Sequence, residues 1–153
     1  MSALLQYNFT ISERDTLFDI SRRTISALEP GAALSAIAQA LLPLPGIRRV
    51  EVEPSADLAP LAPGSLAWGE KAREPRYFSS APIGSRWGTL RLYFSSPEKM
   101  SNPVALARFS AEQIALALDL FALRDKGRRM RQRITRVQEL LEARKRRLRE
   151  AAR

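Results

Sequence analysis

Apolar and polar positions alternate most regularly between Arg86 and Ser95. Leu90, Leu92 and Phe94 fall on one side, and Trp87, Thr89, Arg91 and Tyr93 on the other, which is the two-residue period of a β-strand. Both sides are bulky, which predicts a strand either covered on both faces or carrying a partly open pocket on the second. Arg49, Val50, Glu51, Val52 and Glu53 alternate in the same way and predict a half-buried strand. Residues 76–83 read as a strand ending at Pro82, with Gly84-Ser85 as a tight turn, and 65–68 as a short edge strand. The stretch 54–63, with three prolines, is turn-rich, and 69–75 is a polar loop.

The helical period appears on either side of these strands. Ser12, followed by Glu13, Arg14 and Asp15, suits a helix N-cap with an acidic first turn. Leu17, Phe18, Ile20, Ile25 and Leu28 form the apolar side of that helix, which Pro30-Gly31 is expected to end. A second short helix follows with Leu34, Ile37, Ala38, Leu41 and Leu42 on one side, and Pro43, Pro45 and Gly46 stop it. After a connector over 96–103, a long C-terminal helix begins at Val104. Its residues Leu106, Phe109, Ile114, Leu118 and Phe121 suit packing on a sheet.

A different period takes over towards the C-terminus. Leu116, Leu123, Met130, Val137, Arg144 and Ala151 recur every seven residues at d positions, and Leu120, Gly127, Ile134, Leu141 and Leu148 at a positions. A sustained 3-4 spacing predicts a helix that pairs along a seam, and the expected partner is a second copy of the chain, in either a parallel or an antiparallel arrangement. Gly127 is the weak point, costing about 1 kcal/mol against Ala. Arg144 is a second defect, although its stem can cover apolar surface while its head reaches water. The expected organisation is therefore a domain over 12–123 followed by a basic coiled-coil helix over 124–153, continuous with the last domain helix.

Charge sharpens this division. The segment 124–153 holds thirteen Lys and Arg against four Asp and Glu, so the whole formal charge of +9 lies there. The remainder is balanced at twelve of each sign, which argues against a basic globular body that grips nucleic acid. The chain has no cysteine and no histidine, which excludes disulfides, thiolate metal sites, a histidine general base and a phospho-accepting histidine. No apolar run approaches the ~20 residues of a membrane span, and the start of the chain lacks the features of a signal peptide. The expectation is a cytoplasmic protein without cofactor or metal.

Several residues are candidates for binding. Trp68, Tyr77, Trp87, Arg91 and Tyr93 have the chemistry of a pocket for a planar or anionic ligand; a second hydrophobic minicore beneath 54–75 is the alternative. The basic run of Arg144, Lys145, Arg146 and Arg147 with Arg149 suits either a solvated helix face or non-specific contact with a polyanion. It has neither aromatic residues for base stacking nor Asn for reading base edges. The Arg22-Arg23 and Arg48-Arg49 pairs and the Glu51/Glu53 pair read as surface charges rather than as phosphate or acid–base sites.

Ala81-Pro82-Ile83, Gly84, the strand Trp87-Gly88-Thr89-Leu90-Arg91-Leu92, and a helix bearing Phe109, Gln113-Ile114-Ala115 and Ala117-Leu118 together resemble the C-terminal half of a GAF domain. The two N-terminal helices and the strand at 49–53 fit the family's first half, so the resemblance covers about residues 12–123. A PAS-like sensory domain has similar elements in another order. The resemblance implies an α+β fold: an antiparallel sheet of about five or six strands, N- and C-terminal helices packed on one face and mediating dimerisation, and the other face open to a small ligand. Only 22 residues separate Glu53 from Arg76, where ligand-binding members carry helices and a lid. The cysteine that attaches bilins and the histidine that ligates haem are absent, so the resemblance is to a shortened member. It implies a non-enzymatic sensory or dimerisation module in bacterial transcription regulation or signal transduction, passing its state through the coiled coil to an output domain beyond 153. The alternative is a ligand-free docking protein whose basic helices bind an acidic protein or nucleic acid.

Overall fold

The computed structural model describes residues 9–26, 29–71, 77–95 and 102–153, apart from the side chains at 24 and 25. Its elements are α1 (Ile11–Ser26), α2 (Pro30–Leu41), β1 (Ile47–Pro54), β2 (Ala67–Gly69), β3 (Phe78–Pro82), β4 (Gly88–Phe94) and α3 (Pro103–Ala151). The chain divides into two compact units, one through Asp119 and the other Leu120–Arg153. The fold is α+β.

Strand order is β2-β1-β4-β3 and every pairing is antiparallel. The sheet has four strands among the described residues, against the five or six expected. The segment after β1 accounts for part of the difference. Ser55 O accepts from Ala59 N, and Leu58 O accepts from Ala62 N, so this proline-rich stretch closes into successive turns and buries Leu58 and Ala62 instead of extending. The expected loop at 72–75, the strand start at Arg76, the connector at 96–101 and the helix-face residues Ile25 and Leu28 lie outside the described residues or side chains.

Register gives the two sheet faces opposite characters. Val50 lies opposite Leu92 and Val52 opposite Leu90, with Ser79 and Ala81 continuing the rows on β3. All six are buried. Leu17 and Ile20 of α1, Leu34, Ile37 and Leu41 of α2, and Leu106, Ile114 and Leu118 of α3 are buried too, so the helices cover the apolar side. Small residues on α3, Ala107, Ala111 and Ala115, are buried beside the larger ones. The other sheet face carries Arg49, Glu51, Glu53, Phe78, Thr89, Arg91 and Tyr93, none of them fully buried.

Three local expectations are corrected. The first helix is capped by Thr10, not Ser12. Glu13 N donates to Thr10 Oγ1 at 3.2 Å and Thr10 N donates to Glu13 Oε2 at 3.0 Å, a reciprocal capping box that satisfies two otherwise orphaned N–H groups. Pro30 does not end a helix but starts α2; its fixed φ and missing N–H suit the first helical position. Phe18 is 62% exposed, because the neighbouring Leu17 takes the core-facing position with Ile20. Of the side chains expected to pack α3 on the sheet, Phe109 and Phe121 are only partly covered. Asn102 caps α3 through Oδ1, which accepts from Ala105 N at 3.1 Å, and Pro103 follows as its first residue.

Two substitutions test this packing in opposite directions. Gly88 has φ +125°, and a Cβ there would collide with the carbonyl oxygen of Glu53 on the paired strand. Gly88→Ala is expected to lower the urea midpoint by the equivalent of about 2 kcal/mol or more, combining backbone strain with the clash. Ser110 is fully buried on α3 and its hydroxyl has no hydrogen-bond partner among the described residues. Ser110→Ala is expected to leave stability equal or raise it by about 1 kcal/mol, read in the same urea titration.

Candidate functional site

The five residues expected to line a pocket are not brought together. Arg91 and Tyr93 lie on the polar face of β4. Trp68 pairs with Val50 and so belongs to the apolar side. Tyr77 stacks on Phe94 at 6.2 Å between ring centroids. Trp87 is 1% exposed; it lies in the turn before β4, and its Nε1–H donates to Asp119 Oδ1 of α3 at 2.8 Å. The strand parity that would group Trp87 with Thr89, Arg91 and Tyr93 fails because the strand begins only at Gly88. Arg86 covers the outer side of the indole, its guanidinium carbon 4.1 Å from the ring centroid.

Charges on the open sheet face neutralise one another. Arg49 Nε is 2.6 Å from Glu51 Oε1, and Arg91 Nη2 is 2.6 Å from Glu53 Oε2. Tyr93 Oη donates to Glu51 Oε2 at 3.0 Å. Partial burial acts to raise the pKa of Glu51, but the hydrogen bonds from Arg49 and Tyr93, with the charges of Arg49 and Arg91, outweigh it and hold the carboxyl below its ordinary value. Burial, followed by the bond to the Glu51 carboxylate, pushes the Tyr93 hydroxyl up. The other arginine pairs are engaged as well. Asp19 binds Arg22 and Arg23, both at 2.8 Å, and the hydrogen bond from Arg22 leads the lowering of its pKa. Arg48 reaches Glu70 at 3.2 Å. Each of these carboxylates is thus held by an arginine of the same unit. No cluster of metal-ligating side chains occurs among the described residues.

The surface with chemistry left unused is the apolar row along the second unit. Leu123, Met130, Ile134, Val137, Leu141 and Leu148 are 53–67% exposed and Leu120 37%; Leu116, one heptad before Leu123, is 63% exposed. Residues 120–148 extend for about 42 Å at the helical rise. Soluble chains rarely leave an apolar row of this length open to water.

The charges of this unit are sorted around the row. Arg124, Lys126, Arg131, Arg133, Lys145 and Arg147 occupy its flanking e and g positions, and no acidic residue does. The four acidic residues, Asp125, Glu139, Glu142 and Glu150, all sit at b, c or f on the opposite side. There Asp125 binds Arg128 at 2.6 Å and Arg129 at 3.1 Å. Of the flanking cations, Lys145 alone has an ion pair among the described residues, with Glu142 at 3.5 Å. The run of Arg144, Lys145, Arg146, Arg147 and Arg149 is exposed and, at ~100° per residue, winds around the helix rather than forming one stripe.

No family model, no curated protein and no solved structure matches this chain. No described helix is long and apolar enough to cross a membrane.

The sheet-face network makes a pH prediction. Glu51 has a folded pKa below its unfolded value, so its contribution is complete above the ordinary carboxylate range and disappears as pH falls through the lower, folded value. The stability difference between the parent chain and Glu51→Gln, measured by urea unfolding, is expected to be constant near neutrality and to shrink as the solution is acidified below that range. A difference independent of pH would show that Glu51 contributes nothing through its charge.

Proposed function

We propose that this chain is a non-enzymatic regulatory module of GAF-like organisation, acting through a helix-pairing seam at its C-terminal end. The observation that carries the proposal is the open apolar row at Leu120, Leu123, Met130, Ile134, Val137, Leu141 and Leu148, in the heptad spacing that knobs-into-holes packing requires. Two N-terminal helices, an antiparallel sheet and a long final helix agree with the GAF-like resemblance in order. The paired charges on the open sheet face favour a body that takes part in docking over one that captures a small ligand.

A second copy of the chain provides a matching seam, and a homodimer through this helix is the simplest assembly. A change of register or crossing angle along such a seam passes between discrete packings, which is how the module would transmit a state to an output domain in transcription regulation or signal transduction. The basic flanks set the ionic conditions for self-pairing. Like charges crowd along both helices, and salt screens them over a Debye length of ~8–10 Å at physiological strength.

Sedimentation of the full chain at micromolar concentration is therefore expected to show a monomer–dimer equilibrium that shifts towards dimer as salt rises. Ile134→Asp with Val137→Asp places charge in the seam and is expected to give a monomer at every salt concentration, with the first unit still melting cooperatively. A parent chain that stays monomeric at every salt removes the self-pairing reading. A dimer unaffected by the double substitution places the contact elsewhere.

A further inference from the structure

The proposed seam has a partner preference that a second copy does not satisfy. Six cations flank it and Arg144 stands within it. The acidic residues that would balance those cations in a self-pair are all at b, c and f positions, where Asp125 and Glu142 are engaged by Arg128, Arg129 and Lys145 of the same helix. Arg124, Lys126, Arg131, Arg133 and Arg147 have no ion pair among the described residues. In a coiled coil the e and g residues lie against those of the partner and set partner choice. Two copies bring twelve flanking cations together with no acid among them.

We infer that the preferred occupant of the seam is an amphipathic helix of another protein, with apolar a and d residues and glutamate or aspartate at e and g. This rests on the seam being a helix-pairing surface. Such a helix packs its apolar row on Leu123, Met130, Ile134, Val137, Leu141 and Leu148, and sets a carboxylate beside each flanking cation. At Arg144 it offers an acidic neighbour to a guanidinium that no e or g carboxylate of a second copy can meet. The pairing is specific by repulsion as well as attraction, since a basic-flanked helix is rejected by the same positions. Nucleic acid fits less well: phosphates answer the cations but leave the apolar row between them in water. Self-pairing then becomes the weaker state, displaced when the acidic helix arrives.

The test is calorimetric titration of the full chain with three peptides of equal length. One is a heptad helix with Leu at a and d and Glu at e and g. The second has the same seam with Lys at e and g. The third has the acidic composition in scrambled order. The acidic heptad helix is expected to bind one per chain, to weaken as salt rises, and to dissociate the homodimer in sedimentation. The basic and scrambled peptides are expected to bind at least tenfold more weakly. Ile134→Ser with Val137→Ser, which changes no charge, is expected to weaken the acidic helix at least tenfold, and Arg131→Glu with Arg133→Glu to shift preference towards the basic peptide. Failure of the acidic helix to displace the second copy overturns the inference while leaving the seam intact. Equal binding by the scrambled peptide, or duplex DNA that binds the serine variant as tightly as the parent, shows a general polyanion surface instead. A chain that stays monomeric at every salt and binds neither heptad peptide removes the seam itself.

Discussion

Val50 opposite Leu92 and Val52 opposite Leu90 put four branched apolar side chains on one face of the central strand pair. Because side chains alternate along each strand, this register also sends Arg49, Glu51, Glu53, Arg91 and Tyr93 to the other face, where they pair among themselves. A shift of one residue would exchange the two sets and bury four charges. The helices then have one side of the sheet to cover. Gly88 makes the arrangement possible at the start of β4, where no Cβ fits beside the Glu53 carbonyl.

Much of this was legible in the residues. The alternation in β1 and β4, the edge position of β2 and the turn-rich segment after β1 followed from periodicity and proline content. Where the reading failed, a local interaction outranked the pattern. Thr10-Ile11-Ser12-Glu13 carries a capping-box spacing that identifies Thr10 as the cap, whereas the acidic residues after Ser12 alone point two residues too far. Pro30 has two opposite meanings, stop or first turn, and the apolar period that follows it selects the second. Alternation alone places Trp87 in β4, whereas the chain is still turning there and Asp119, distant in sequence, holds the indole. No spacing rule reaches a contact of that kind.

The heptad spacing of the second unit is legible for another reason: it does not depend on contacts with the rest of the chain. In the structure its side chains remain open, and the segment makes no use of them by itself. The acidic residues occupy only b, c and f positions, where Asp125 and Glu142 form ion pairs along their own helix. Counted as a block, the segment is simply basic. Placed around a helix, six of its thirteen basic residues border the apolar row and none of its four acidic ones does, a pattern that net charge conceals.

The hydrogen bond between Trp87 and Asp119 gives the chain an internal optical reporter. The two indoles occupy different surroundings: Trp87 is sealed against α3 beneath Arg86, while Trp68 sits half-exposed on the edge strand. A buried indole emits at shorter wavelength than one in contact with water. Asp119 is the last residue of the first unit, so the colour of Trp87 fluorescence registers any loosening at that end of the domain without an added label.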